Sequence, residues 1–278
     1  MSVTTSNTKT MKNIPNSHSK IMSRAALCGF AMACATGPMQ AAISYTIIGG
    51  QYTQNFNSLG TEAVSWTNNS TLDGWYLHQS ASGGSTPAQL NEPLAPGSSS
   101  NSNSKGFWFN FGTDSDRAIG GSPGGSTGTM HYGVALTNNT GGTLTEMTIA
   151  FDWERWFLAD ASASAPQNMS FHWSTDATSL TSGTYTEVSD ALLTFTAVPP
   201  SADRLWLATP EVYARDFTVT GIDWQDGETL WLRWQDINEP GGDHGVGINN
   251  VQFSAIPEPS SVLLSSLVCF IALLRRRR

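Results

Sequence analysis

The feature that most constrains the fold is a repeated alternation of apolar and polar residues in short segments. In Thr143–Trp153, apolar side chains occupy every second position towards the end of the segment. This period of two is typical of a β-strand with one buried face. The segment Thr229–Gln235 repeats it, with Leu230 and Leu232 on one face and Trp231 on the other. Both segments therefore predict strands of a half-buried sheet.

Turn-forming residues separate further short segments of this kind, and no long segment between the two ends of the chain has a helical period. About ten such strands predict an all-β fold, a two-sheet sandwich of the jelly-roll type. Ser80–Lys105 and Gly120–Gly128 are poor in apolar residues and are predicted to be surface loops. The other predicted strands are Ser44–Ile48, Gly74–His78, Gly106–Phe111, Met130–Leu136, Met169–Ser174, Tyr185–Val188, Phe217–Ile222 and Val246–Phe253.

The C-terminal segment, residues 256–278, has three parts with different chemistry. Its central apolar run has 14 residues, fewer than the roughly 20 that span a bilayer comfortably. Arginines after such a run follow the positive-inside rule, which predicts a short transmembrane helix with its end in the cytoplasm. The alternative is a buried core segment with a frayed tail. The three parts are Pro257, Glu258 and Pro259, then Ser261–Leu274, then Arg275, Arg276, Arg277 and Arg278.

These three parts, in this order, resemble the PEP-CTERM sorting signal of exported proteins from Gram-negative bacteria. That signal combines a Pro-Glu-Pro motif, a hydrophobic helix and an arginine-rich end. The resemblance implies an exosortase as partner, a membrane protease or transpeptidase that cuts near the Pro-Glu-Pro motif. It also implies that the helix anchors the protein in the inner membrane, transiently or permanently. The destination of such proteins is the cell surface or the extracellular matrix.

The N-terminal segment, residues 1–41, has the features of a secretory leader. Four basic residues and no acidic residue precede the small, apolar run Ala25–Ala35, and a small-residue cleavage site follows near Ala41. Cys34 leaves a lipoprotein signal open as an alternative, although its flanking residues match a lipobox poorly. The sequence therefore predicts a leader (1–41), a β-sandwich ectodomain (42–255) and a sorting signal (256–278).

The predicted ectodomain is acidic and has no cysteine. Cys28, Cys34 and Cys269 all lie in the two end segments, which excludes disulfides and thiolate chemistry from the sandwich. Six basic and 21 acidic residues between positions 42 and 256 leave a net charge of −15. Such a charge argues against binding to nucleic acid or to an anionic membrane surface, and it favours cations.

Several blocks of the ectodomain resemble a lectin-like domain of exported bacterial proteins. The segment 227–234, with Asp236 and the block 243–251, carries most of the resemblance. Weaker blocks are 66–76, 115–120 and 174–180. In that domain type the last block usually ends Ile-Asp-Asp, whereas this chain has Ile248, Asn249 and Asn250. If those aspartates bind a cation, the resemblance implies a weaker site here.

Oxygen-bearing side chains cluster around the Pro-Gly-Gly segment 240–242. Oxygen-rich loops with glycine suit Ca²⁺, which takes six to eight oxygen ligands. The spacing is not that of an EF-hand, and Asp and Asn are also common in turns because they hydrogen-bond their own backbone. The sequence thus predicts a calcium site and leaves a plain Asp- and Asn-rich turn as the alternative. The predicted ligands are Asp236, Asn238, Asp243, Asn249 and Asn250, with Glu239 and His244 nearby.

Motifs for catalysis are weak. Asp152 and Glu154 lie two residues apart on one strand, as paired carboxylates of a glycoside hydrolase would, but the segment does not match the Glu-x-Asp-x-x-Glu motif of laminarinase-like jelly rolls. The five histidines do not form a zinc motif. Gly-x-Ser-x-Gly occurs around Ser122 and Ser126 without the strand and helix of a nucleophile elbow. We therefore expect no enzymatic activity.

Aromatic residues give the ectodomain its most general binding chemistry, because Trp and Tyr rings stack on sugars. The face of Trp231 is predicted to be exposed, since Leu230 and Leu232 claim the other side. The alternative for each ring is a place in the core. The function predicted from the sequence is a non-catalytic surface or matrix protein, structural or glycan-binding. A secreted glycoside hydrolase and a calcium-dependent carbohydrate-binding module are the alternatives. The candidate glycan-binding residues are Trp75, Tyr76, Trp156 and Trp231.

Overall fold

The computed structural model describes residues 42–93, 95, 106–113, 115–163, 165–196 and 204–258. These residues form strands and three short 3₁₀ turns. In these ranges no helix has the length and apolar character that a membrane crossing requires. The predicted leader helix and the predicted C-terminal helix both lie outside the described residues.

Fifteen strands run through the described part of the chain, and seven of them are longer than the predicted segments that they contain or overlap. They are β1 (Ile43–Tyr45), β2 (Tyr52–Gln54), β3 (Val64–Ser65), β4 (Trp75–Gln79), β5 (Gln89–Leu90), β6 (Phe107–Thr113), β7 (Asp116–Ser122), β8 (Met130–Asn138), β9 (Leu144–Leu158), β10 (Gln167–Ser174), β11 (Thr186–Glu187), β12 (Leu193–Phe195), β13 (Leu205–Trp224), β14 (Thr229–Asp236) and β15 (Gly245–Ile256).

Two large sheets contain almost all of these strands. Sheet A has the order β1, β8, β14, β10, β11, with β4 also paired to β8 and β12 also paired to β10. Sheet B has the order β13, β9, β15, β7, β6, with β2 also paired to β15. Strands β3 and β5 form a separate two-stranded ladder. Strand β1 is parallel to β8, and the other pairings within sheet A are antiparallel.

The main core lies between the two sheets and is rich in aromatic rings. Trp234 of sheet A stacks on Trp75 with ring centroids 5.6 Å apart, and it meets Phe151 of sheet B edge-on at 5.4 Å. Each such aromatic pair contributes about 0.5–1.5 kcal/mol beyond the area that it buries. Packing of the inward faces of both sheets in one cluster confirms the predicted all-β sandwich.

The prediction of a surface loop over Gly120–Gly128 is wrong at its beginning. Gly120 and Gly121 belong to β7, which is hydrogen-bonded inside sheet B, and both are buried. A Cβ atom at Gly120 would lie 2.1 Å from the carbonyl oxygen of Val246, and one at Gly121 would lie 2.2 Å from Cε of Met130. Glycine is therefore required here by close strand and sheet packing, although the same residues predict a surface loop in the sequence.

Candidate functional site

The four aromatic residues predicted to bind glycans lie in three different places. Trp75 is completely buried between the sheets, where its indole nitrogen donates a hydrogen bond to the Tyr52 hydroxyl at 2.7 Å. Because Trp75 alternates with Tyr76 on β4, the two rings point to opposite faces of sheet A. Trp75 is therefore a core residue and is not part of a binding surface.

Tyr76 and Trp231 meet on the outer face of sheet A. Their ring centroids are 4.8 Å apart, and both residues are only 2% exposed. They form a small cluster with Ala177 and Leu180, which lie in the segment 175–185 between β10 and β11. The predicted exposure of Trp231 is wrong because this segment folds over the outer face of the sheet. The predicted alternation along β14 is correct, since Leu230 and Leu232 do face the main core.

Contacts to the strands below hold the covering segment in place. The guanidinium of Arg233 lies over the ring of Tyr185, 3.8 Å from its centroid, and donates a hydrogen bond to the Leu180 carbonyl oxygen at 3.0 Å. A pocket of about 180 Å³ remains at the edge of this cluster. Its lining combines the rings of Tyr76 and Trp231 with Leu77, Leu180, Asn68, His78, Thr86, Ser179 and Thr181.

Trp156 lies on the outer face of sheet B, in a second small aromatic cluster. Its ring stacks on Phe111 with centroids 6.1 Å apart, and it is 4% exposed. Its indole nitrogen donates to a carboxyl oxygen of Glu154 at 2.9 Å. Neighbouring rings, including Phe157 and Trp206, complete the cluster and remove Trp156 from solvent. All four candidate glycan-binding residues are therefore buried.

Three carboxyl groups interact around the turn that joins β14 to β15. Asp236 and Asp243 are 3% and 2% exposed, and one carboxyl oxygen of each is buried without a hydrogen-bond partner. The backbone nitrogen of Glu239 donates to Asp243 Oδ1 at 3.3 Å. Burial, with the adjacent Glu239 carboxyl, raises the pKa of Asp243 to about 8, and burial raises the pKa of Asp236 well above its usual range.

The other three predicted calcium ligands do not lie in this cluster of carboxyl groups. Asn249 donates to Glu154 Oε1 at 3.0 Å, and Asn250 donates to Asp152 Oδ2 at 2.8 Å, both on the neighbouring strand β9. Asn238 is exposed in the turn. The five residues therefore do not form one site. Across the described ranges, no three or more His, Cys, Asp or Glu side chains form a group that could hold a metal ion.

Asp152 and Glu154, the candidate carboxylate pair, are both held by asparagines. Glu154 is 3% exposed, and its two carboxyl oxygens accept hydrogen bonds from Asn249 and Trp156. Burial raises the pKa of Glu154 to about 7 despite these two hydrogen bonds. Both oxygens of the Glu154 carboxyl group are thus engaged in hydrogen bonds, and the group is removed from solvent.

Two histidines that the sequence did not single out face each other on the outer face of sheet A. His78 and His131 are register partners on β4 and β8, with ring centroids 5.7 Å apart. Burial lowers the pKa of His131 to about 3, helped by the positive charge of Arg233. Only pairing of strands that are 53 residues apart in sequence brings the rings together, so no local motif could have indicated the pair.

The last strand of sheet B ends where the predicted sorting motif begins. Strand β15 runs to Ile256, and Pro257 and Glu258 follow it in exposed positions. Pro259, the apolar run and the four arginines lie outside the described residues. The first two residues of the motif are thus accessible at the edge of the folded sandwich.

Comparisons with known proteins give loose structural likenesses only. No protein-family model matches the chain, and no curated protein matches it. Among solved structures, a carbohydrate-binding module specific for non-crystalline cellulose matches with a TM-score of 0.32 and 10% identity, over 60% of this chain and 97% of that chain. The adhesin domain of Lys-gingipain matches with a TM-score of 0.33 and 10% identity, over 73% and 97%. An arabinose-bound α-L-arabinofuranosidase matches with a TM-score of 0.35 and 10% identity, over 77% of this chain but 29% of the enzyme.

Proposed function

We propose that this chain is an exported, non-catalytic protein whose β-sandwich serves as a structural component of the cell surface or extracellular matrix. Its C-terminal segment is the sorting signal, recognised by an exosortase-type membrane protease. The jelly-roll-type sandwich is the part delivered outside the cell.

One observation carries the sorting proposal: the Pro-Glu-Pro motif emerges directly from the end of the fold. Because β15 ends at Ile256 and the next two residues are exposed, a protease reaches the motif without unfolding a strand. The apolar run and the arginine cluster follow within a few residues. This is the arrangement expected when a tail is removed from a finished domain.

The buried aromatic residues support a structural role. Nine of the ten tryptophans are buried, and the tenth, Trp173, is partly buried. An exposed aromatic platform would have favoured a polysaccharide-binding module, and a cleft of converging carboxylates would have favoured a hydrolase. The occupied carboxyl oxygens of Glu154 support the absence of catalysis.

Intact mass of the protein recovered from its native surface or matrix tests the proposal. We expect a species that lacks the leader and all residues after about Pro259. A matched variant with Arg275–Arg278 deleted should remain uncut because its sorting signal is incomplete, and it should stay in the membrane through the intact apolar run. A native species that still ends at Arg278 would contradict exosortase processing.

Glycan binding is a second candidate, favoured by the pocket beside Tyr76 and Trp231. At about 180 Å³ it is smaller than typical small-molecule pockets of about 300–1,000 Å³ and would admit a single sugar ring.

Calorimetric titration of the protein with soluble matrix glycans would detect such binding. Thr181→Trp should abolish the heat by filling the pocket, whereas Thr218→Trp, at an exposed position of β13, should not. Absence of heat with every glycan would remove this candidate.

A further inference from the structure

Three isoleucines are exposed to solvent at one end of the sandwich. Ile47, Ile48 and Ile256 are 68%, 50% and 37% exposed, and Ile47 is the most exposed large apolar residue in the described part of the chain. The described part of the chain has eight exposed large apolar residues, and these isoleucines are three of them. Single exposed apolar side chains are ordinary, but a group of them marks a surface that another apolar partner covers.

The three side chains belong to one surface because the turn after β1 packs on the end of β15. The backbone nitrogen of Gly49 donates to the Ala255 carbonyl oxygen at 2.8 Å. A Cβ atom at Gly49 would lie 3.5 Å from Cγ2 of Ile256, while Ile47 and Ile48 precede Gly49 in the same turn. We call these three residues the isoleucine patch.

The isoleucine patch lies where the chain leaves the fold towards its apolar segment. Only residues 257–260 separate Ile256 from the apolar run that begins at Ser261. Five extended steps of the backbone cover no more than about 18 Å. If the apolar run inserts into a bilayer, the end of the sandwich that carries Ile256 must therefore lie close to the bilayer surface.

We propose that the isoleucine patch rests on the lipid surface into which residues 261–274 insert. This inference depends on the proposed membrane insertion of the C-terminal segment before cleavage. Apolar side chains of surface-bound segments enter the boundary between headgroups and acyl chains. The patch would then hold the sandwich in one orientation, with Pro257 and Glu258 at the height where a membrane protease cuts.

Charge around the isoleucine patch indicates that the contact is apolar. Ile256 pairs with Glu146 on β9, Glu258 follows two residues later, and the ectodomain has a net charge of −15. Acidic residues do not attract anionic lipids, so the short tether and the apolar side chains must supply the association. Zwitterionic phosphatidylcholine is the lipid surface that this chemistry fits.

Single-cysteine labelling of the full chain in phosphatidylcholine vesicles tests the inference, because no native cysteine lies in the ectodomain. Cys28 and Cys34 are first replaced by serine. A fluorescent dye is then placed at native Cys269, or, with Cys269→Ser, at position 48 of Ile48→Cys or position 212 of Val212→Cys. The readout is quenching of the dye by nitroxide-bearing lipids.

Position 212 is a matched control because Val212 is 53% exposed, like Ile48, but lies at another part of the sandwich. Val212 pairs with Glu154 and Ile256 pairs with Glu146 on the same strand β9. Eight residues of β9 separate Glu154 from Glu146, which corresponds to about 26 Å along the strand. A dye at position 212 is therefore well separated from the isoleucine patch along the direction of the strand.

We expect quenching at positions 269 and 48, with quenching at 48 at least about twofold greater than at 212. Adding Ile47→Asp to Ile48→Cys should reduce the quenching at position 48, because a charge would be pressed into the interface. Quenching at 269 with equal quenching at 48 and 212 would overturn the patch inference and leave membrane insertion standing. Absence of quenching at 269 would overturn membrane insertion, and the patch inference with it.

Discussion

At the scale of single residues, Asp243 and Asp236 carry buried carboxyl groups whose pKa values are raised by that burial. Each is buried with a carboxyl oxygen that has no hydrogen-bond partner. Burial of a carboxylate is costly unless its charge is offset, and the charge of Arg204 only partly offsets the burial of Asp243, so such a group keeps its proton or binds a cation. The sequence predicted a cation here from residue types, and calcium binding stays a prediction.

The raised pKa of Asp243 predicts how stability depends on pH. Its pKa is about 8 in the fold against an ordinary value of 3.8. Its contribution to the free energy of unfolding is therefore complete below about pH 4 and is lost as the pH rises to about 8. Thermal melts in a chelator should therefore show a falling melting temperature between pH 5 and pH 8. Asp243→Asn should flatten this dependence, and Asp190→Asn, at an exposed position, should not.

The same thermal melts also test whether calcium binds near Asp243. If a cation offsets the buried charges, millimolar calcium at pH 8 should raise the melting temperature of the native protein and leave that of Asp243→Asn unchanged. If calcium changed the melting temperature of neither protein, the hypothesis of a bound cation would be eliminated. A pH dependence equal in all three proteins would contradict the assignment to Asp243.

Gly120 shows how one residue without a side chain sets the spacing of sheet B. Gly120→Ala should lower the free energy of unfolding by more than about 2 kcal/mol, because the new Cβ would meet the Val246 carbonyl oxygen. Gly125→Ala is the matched control, since a Cβ there has no atom within 4 Å. Urea unfolding measures both. Equal effects of the two changes would contradict the close approach of β7 and β15.

At the scale of elements, the segment 175–185 decides what the outer face of sheet A presents. It converts Tyr76 and Trp231 from a possible binding platform into a small buried cluster under Leu180. The sequence of this segment is mostly polar, which is why its covering role was not predicted. The register that places Arg233 beneath Tyr185 depends on the pairing of β14 with β10.

Leu180 should be the residue that fastens this segment to the sheet. It is 3% exposed, so Leu180→Ala should lower the free energy of unfolding by about 2–5 kcal/mol if the segment unfolds with the rest of the domain. Thr181→Ala, one residue later and exposed, should change it by less than about 0.5 kcal/mol. Chemical denaturation of the three proteins is the measurement, and equal stabilities would show that the segment is not anchored through Leu180.

At the scale of the whole molecule, charge opposes folding while burial of aromatic residues stabilises it. Residues 42–256 include six basic and 21 acidic residues, and only two ion pairs are formed among the described residues. Self-repulsion of this size destabilises a compact state and is screened by salt within about 10 Å at 0.1 M. The same charge keeps copies of the protein apart.

Salt should therefore stabilise the sandwich. We expect the melting temperature to rise by a few degrees between about 10 mM and 300 mM sodium chloride, because screening weakens the repulsion. Replacing chloride salt by an equal osmolarity of sucrose separates screening from general solute effects. A melting temperature that falls with salt would show that favourable ion pairs dominate.

The sequence by itself determined the fold class and the positions of ten strands along the chain, because period-two alternation depends only on neighbouring residues. Thr143–Trp153 and Thr229–Gln235 are both found inside observed strands, β9 and β14. The tertiary structure decided the strand β7, the burial of Trp156 and Trp231, and the separation of Asn249 and Asn250 from Asp243. Each of these depends on which distant segment lies over or beside a residue. A local pattern records which face of a strand is apolar, but it carries no information about what covers the other face.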